Sequence, residues 1–324
     1  MLGSSAASTR LVTRRVLTGA AMLVTVSVLV FAATQALPGD IARTILGQGA
    51  TAEQLARLRA ELGLDLPAWQ QYVRWAGGLL SGDLGTSLAS GTPVAELLRV
   101  RVANSLTVVL IALVITLPLG LLLGLLAARR AGSALDVGIS AAVQVILSLP
   151  EFVVGIILVV LFGGGLFRLF PPTSPLDPRL LAWNQPQLLV LPVATMVLIA
   201  LPHLTEATKT LLREELAGDY VRWARLSGLG DARLLTHYAL PNTWGPVAQV
   251  GGVTVNYLLG GVVAVETVFA FPGIGSELVS AVGSRDIVVV QVIAMGIATI
   301  LLVTFLLADL IGLLTNPRLR SSQR

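Results

Sequence analysis

The sequence predicts an all-α membrane protein with six transmembrane helices and both termini on the cytoplasmic side. Three observations carry this expectation. Hydrophobic residues make up 55% of the 324-residue chain and charged residues only 12%. An average soluble domain has roughly 25% charged residues, so this chain lacks the charged shell that a water-soluble core of its size needs. Six apolar stretches recur, each near the roughly 20 residues that a bilayer core requires of a helix. The basic residues then sort into the loops on one side of those stretches.

Five of the stretches, residues 16–36, 102–128, 187–205, 238–265 and 287–308, hold no Asp, Glu, Lys or Arg. The first follows Arg10, Arg14 and Arg15 as a secretory signal would. Its 21 residues, with no clear Ala-x-Ala ending, favour a retained helix. The third stretch, 137–162, is interrupted once, by Glu151 near its middle. Pro150 precedes that acid, frees a backbone carbonyl and can bend the helix. The fourth contains Pro192 and Pro202. The fifth ends at Glu266 and the sixth at Asp309.

With the N-terminus inside, the inner segments hold 13 of the basic residues and the two short outer loops hold 3. The remaining six lie in the long outer segment 37–101. A loop of that length crosses largely regardless of its charge, so the comparison that counts is between the short segments, and it places both ends inside. The organisation expected is an N-terminal tail and first span over 1–36, an extracytoplasmic helical segment over 37–101, and a core of five helices over 102–320. A long cytoplasmic loop, 206–245, interrupts that core.

Both polar segments carry local signals. In the outer one, Thr51 and Gln54 form a capping-box pattern, Leu55, Leu58 and Leu62 follow at helical spacing, and Gly63 can close the helix. A second helix is expected from Pro67, bearing Trp69, Tyr72, Val73 and Trp75 and broken at Gly82-Asp83-Leu84-Gly85. This segment reads as a cap on the membrane helices or as a docking platform, and the two are compatible. In the inner loop Gly218 breaks the fourth span's extension. Asp219 is expected to cap a short helix, Tyr220 to Leu226, that Ser227-Gly228 ends. Asp231 is expected to cap another, which Pro241 stops. Tyr220, Arg222, Trp223 and Arg225 are residue types enriched at protein interfaces. They equally suit a helix resting on lipid headgroups.

Composition excludes several chemistries. There is no cysteine and there are two histidines, His203 and His237, which leaves no thiolate site and no histidine cluster for a metal. The single lysine, Lys209, follows Ala207-Thr208, so the Gly-Lys-Ser/Thr of a nucleotide-binding loop is absent. If ATP drives this chain, another subunit binds it. A net charge of +4 gives no reason to invoke nucleic acid.

From Arg222 the chain reads Arg222-Trp223-Ala224, three residues, Gly228, nine residues, then Tyr238-Ala239-Leu240-Pro241. This resembles the Glu-Ala-Ala loop of ABC importer permeases. Asp219-Tyr220-Val221-Arg222-Trp223-Ala224-Arg225-Leu226-Ser227-Gly228 is similar to the version found in the peptide-permease branch. Pro38-Gly39-Asp40, Glu61-Leu62-Gly63-Leu64-Asp65 and Gly82-Asp83-Leu84-Gly85 look like that branch's outer segment. Glu266-Thr267-Val268-Phe269-Ala270-Phe271-Pro272-Gly273-Ile274-Gly275 and Asn316-Pro317-Arg318 resemble its later signatures. The resemblance runs in order from about residue 12 to 320.

This resemblance implies the type I ABC importer permease fold and a non-catalytic subunit of a dipeptide or oligopeptide importer, with nickel or another small solute as the alternative cargo. It implies four kinds of partner: a second permease subunit, ABC ATPase subunits, an extracytoplasmic peptide-binding protein and membrane lipid. ATP and Mg would sit on the partner ATPases, and no cofactor on this chain. Asp219, Tyr220, Arg222, Ala224, Arg225, Gly228, Leu240 and Pro241 are the expected ATPase-coupling residues. Trp69, Tyr72, Trp75 and Asp83 are the expected docking residues for the binding protein. Glu151 departs from the less polar residues usual in the family and is the candidate for lining the path, since an acid at membrane depth usually faces a cavity. An ion-coupled secondary transporter is the competing class, but its internal repeats and several midplane charges are not found.

Overall fold

The computed structural model describes residues 3–36, 41–47, 49–63, 65–177 and 180–315. Pro38-Gly39-Asp40, Leu64, Asn316-Pro317-Arg318 and the side chains of Arg10, Glu61, Leu62 and Asp309 lie outside the described residues. The described chain is almost entirely helical. In order it forms α1 (Gly3–Gln35), α2 (Ile41–Leu46), α3 (Ala52–Leu62), α4 (Ala68–Ser81), α5 (Val94–Arg129), α6 (Ala134–Leu147) and α7 (Glu151–Leu158). Then come α8 (Pro186–Leu216), α9 (Asp219–Leu226), α10 (Asp231–Leu234), α11 (Leu240–Val268), α12 (Ile274–Ser284) and α13 (Ile287–Thr315).

Five segments are long and apolar enough to cross a membrane: Thr13–Gln35, Val94–Arg129, Pro186–Leu216, Gly245–Val268 and Ile287–Ala308. The third apolar stretch of the sequence is not one helix. It is α6 followed by α7 and its π-helical extension to Gly163, bent by 105° at the break. Counting that pair as one broken span makes six. The break follows from Pro150: the residue before a proline is pushed out of the helical region, so α6 ends at Leu147 and α7 restarts at Glu151. Glu151 therefore sits at an elbow, not in the middle of a continuous span.

α5, α8 and α11 form the centre of the bundle, and their shared apolar core includes Val108, Met196, Leu258, Val262 and Phe269. α5 and α8 approach closely at Gly120 and Gly124. A Cβ at Gly124 would lie 2.8 Å from the Thr205 carbonyl oxygen. Small residues four apart permit such backbone contact where no hydrophobic force drives helices together. α13 packs on α11 and α1, with Gln291 Nε2 donating to Thr34 Oγ1 at 2.7 Å in a buried tie between α13 and α1.

The outer-segment expectations hold in their local detail. Gln54 N donates to Thr51 Oγ1 and Thr51 N donates to Gln54 Oε1, completing the capping box. Gly63 and Gly82 close α3 and α4 in the left-handed conformation. α5 begins at Val94, so its first two turns fall inside the segment expected to end at residue 101.

Candidate functional site

One end of the bundle carries α9, the short helix between α8 and α11. It starts with Asp219 as its first helical residue. The cap itself is Gly218, with extended backbone and no side-chain bond, and Gly230 plays the same part before α10. The two aspartates are therefore not caps. Each still places a negative charge in a first turn, where the helix dipole favours it. Val221 is fully buried and anchors α9 to the bundle, Ala224 is half-buried, and Asp219, Arg222 and Arg225 are exposed. Trp223 and Leu226, at 71% and 74% exposed, point away from the chain. Gly228 ends the helix with φ of +86° and open space around its Cα. The backbone geometry, not crowding, thus favours glycine there.

Pro241 does not stop α10. A π turn, Leu235–Ala239, joins α10 to α11, and Pro241 lies in the first turn of α11. Leu240 packs with Ala128, Leu212, Leu235 and Ala239. α10 thus runs unbroken into α11, whereas turns at 217–218 and 227–230 set α9 off on the track that leads from α8 to α11. The Tyr220 hydroxyl ties that track together: it bonds the Glu215 carboxylate at the end of α8 and accepts from Asn242 Nδ2 in α11 at 3.1 Å.

The same end holds an ionic cluster that the sequence reading missed. Asp136, in the first turn of α6, accepts from Arg213 Nη2 at 2.6 Å and from Gly132 N at 2.9 Å. Lys209 Nζ donates to Ser140 Oγ at 2.8 Å and lies 3.2 Å from Glu206 Oε2. The partners are 77 and 69 residues apart in sequence. The only local signal was an acid at the margin of an apolar stretch.

At the opposite end, Tyr72 and Trp75 of α4 pack against Phe31 of α1, with ring centroids 5.5 and 5.7 Å away, and Tyr72 Oη lies 2.8 Å from Ser27 Oγ. Both expected docking residues are half-buried and pack on α1. Trp69 and Val73 share an exposed face of α4, at 66% and 60% exposed. Asp83 shapes the next turn by accepting from Gly85 N at 3.0 Å.

Glu266, just before the Pro-Gly turn, braces three helices. It is 1% exposed. Its carboxylate accepts from Ser105 Oγ at 2.5 Å, Gly275 N at 2.6 Å and Ser276 N at 3.2 Å, joining α5, α11 and α12. Glu151, by contrast, lies half-buried on the side of the bundle where α7, α8 and α11 meet. Among the described residues, no group of three or more His, Asp or Glu could hold a metal ion.

The profile of the binding-protein-dependent transport system inner membrane component matches residues 120–321, and that of the N-terminal part of such components matches residues 8–123. The chain is 32% identical over 309 residues to a probable peptide ABC transporter permease of Sinorhizobium fredii, covering 95% of this chain and 98% of that protein. It is 34% identical over 314 residues to the probable D,D-dipeptide transport system permease of Escherichia coli, covering 91% and 92%. It is 33% identical over 319 residues to the dipeptide transport system permease of the same organism, covering 91% and 94%.

Proposed function

Because the chain belongs to the family of binding-protein-dependent transport system inner membrane components, we propose that it forms half of the translocation path of an ATP-driven peptide importer. In this reading the chain has six spans, counting the bent pair as one, and both termini are cytoplasmic. The segregation of basic residues supports that orientation. A sister permease completes the path, separate ATPase subunits bind ATP and Mg, and an extracytoplasmic binding protein delivers peptide. The relatives named for peptide or dipeptide transport support that substrate class.

The observation that carries the coupling role is the geometry of α9. It is a short helix set between Gly218 and Gly228, anchored by one buried valine and presenting Trp223 and Leu226 outward. Through Tyr220 it is tied to both α8 and α11. A small rigid element so placed converts a push from a docked ATPase into a rigid-body shift of two spans. Asp219, Arg222, Ala224 and Arg225 share that helix, and Leu240 and Pro241 begin the span that would move.

Reconstituted with its partner subunits, the chain is expected to take up peptide only with ATP. ATP-independent uptake by the chain alone would overturn this reading in favour of a secondary transporter. On the outer side the docking role falls to the exposed face of α4. Trp69→Ala combined with Val73→Asp is expected to abolish stimulation of ATPase activity by the loaded binding protein while leaving basal activity in place. Full stimulation in that double variant would reduce α3 and α4 to a packing cap.

A further inference from the structure

A polar cluster where α7, α8 and α11 meet takes no part in the coupling scheme. Glu151 opens α7 just past the break, and its carboxylate lies over the backbone of α11: a Cβ on Gly261 would sit 3.0 Å from Glu151 Oε2. One turn earlier on α11, on the same face as Gly261, stands Tyr257. The Tyr257 ring lies 4.3 Å, centroid to centroid, from the ring of His203 on α8. Glu151 and Tyr257 are half-buried and His203 is exposed, so the cluster opens onto the outside of this chain.

Its depth gives the cluster meaning. Tyr257 lies at the middle of the 24-residue stretch Gly245–Val268. A carboxylate facing hydrocarbon at that depth is expensive, and such groups face a protein partner or a watered cavity. No Arg or Lys among the described residues pairs with Glu151. Its neighbours are a phenol and an imidazole. That combination offers a negative charge, an aromatic face that attracts cations and a ring nitrogen able to accept a hydrogen bond. All three suit a positively charged amino group.

We propose that Glu151, Tyr257 and His203 form a station in the translocation path for the ammonium groups of the transported molecule. This rests on the peptide-import reading above. The carboxylate is the counter-charge, the Tyr257 ring one wall, and Gly261 the gap that admits the carboxylate against α11.

The test uses the complex assembled with its partner subunits and the tripeptides Ala-Lys-Ala, Ala-Ala-Ala and Ala-Glu-Ala. The binding protein's own preference is common to wild type and variant and cancels in their ratio. Glu151→Gln, which keeps the side chain's size, is expected to lower the uptake of Ala-Lys-Ala relative to Ala-Glu-Ala by about tenfold. That is a modest share of the attraction between unit charges at hydrogen-bonding distance in a partly wet site. Equal loss for all three peptides would make Glu151 a structural residue and overturn the station.

A second measurement does not depend on peptide transport. Labelling of Glu151 in the wild-type complex by a hydrophobic carbodiimide is expected to slow at least about threefold in tetramethylammonium chloride, compared with equal sodium chloride or tert-butanol. Equal rates in all three solutions would overturn the proposal. Protection by the cation in a complex that imports none of the peptides would uphold the station and discard peptide import.

Discussion

Replacing Gly228 with leucine is expected to abolish ATP-dependent uptake while the chain still folds and inserts. The position has φ of +86° and nothing within 4 Å of a built Cβ, so leucine meets no clash inside this chain. It does meet a backbone penalty of roughly 1–2 kcal/mol for a left-handed conformation. The least costly relief is to change the turn after Ser227, which re-aims α9 and its exposed Trp223 and Leu226. Ala224→Arg adds a charge beside that face and is expected to act in the same direction. The readouts are retention of the ATPase subunits on purification and uptake per ATP hydrolysed. Lost retention or uncoupled hydrolysis fits docking. If both variants transport normally and Trp223→Ala alone is damaging, α9 is a lipid anchor and the coupling role falls.

The second large effect concerns stability. Glu266→Ala removes the acceptor for one hydroxyl and two backbone N–H groups in a buried site. Buried donors left without partners cost about 1–3 kcal/mol each, so a loss of about 3–5 kcal/mol is expected, and little folded protein should be recovered. Glu266→Gln is expected to fall between: its amide oxygen can still accept from the Gly275 and Ser276 N–H groups, but the charge and the acceptor for Ser105 Oγ are lost. Gly273→Ala should match the alanine variant at Glu266: its Cβ would collide with the Glu266 carboxylate, which the bonds to Ser105, Gly275 and Ser276 hold in place. Thermal unfolding of the purified variants checks all three. Wild-type unfolding of Glu266→Ala would mean that the carboxylate is no brace.

These two sites differ in how they could be read. The turn at Gly228 and the short helix before it follow from residues next to one another, so spacing alone located them. Glu266 was legible as an acid at a Pro-Gly turn, but not its partner Ser105, which lies 161 residues away. The Asp136 cluster was invisible for the same reason. Tyr72 and Trp75 looked like docking residues because aromatic side chains suit interfaces and cores alike. Only the position of Phe31 on α1 shows that they also pack on the bundle. The aspartates at 219 and 231 were misread as caps because a glycine preceding each can take the extended cap conformation itself.

The sequence by itself determined where the apolar helices lie, since hydrocarbon demands contiguous apolar runs. It also determined where the outer helices α3 and α4 begin and end, since caps are made by neighbours in the chain, and that no nucleotide loop exists here. Tertiary structure alone decided the rest. Pro150 permitted a bend, but the packing of α7 against α8 and α11 set it at 105°. Pro241 reads as a stop until the π turn before it carries the helix through. Glu151 became part of a cluster only when α8 and α11 brought a histidine, a tyrosine and a glycine to its side. Composition along the chain specifies the solvent each segment needs, whereas side-chain partners far apart in sequence are chosen by how the helices pack.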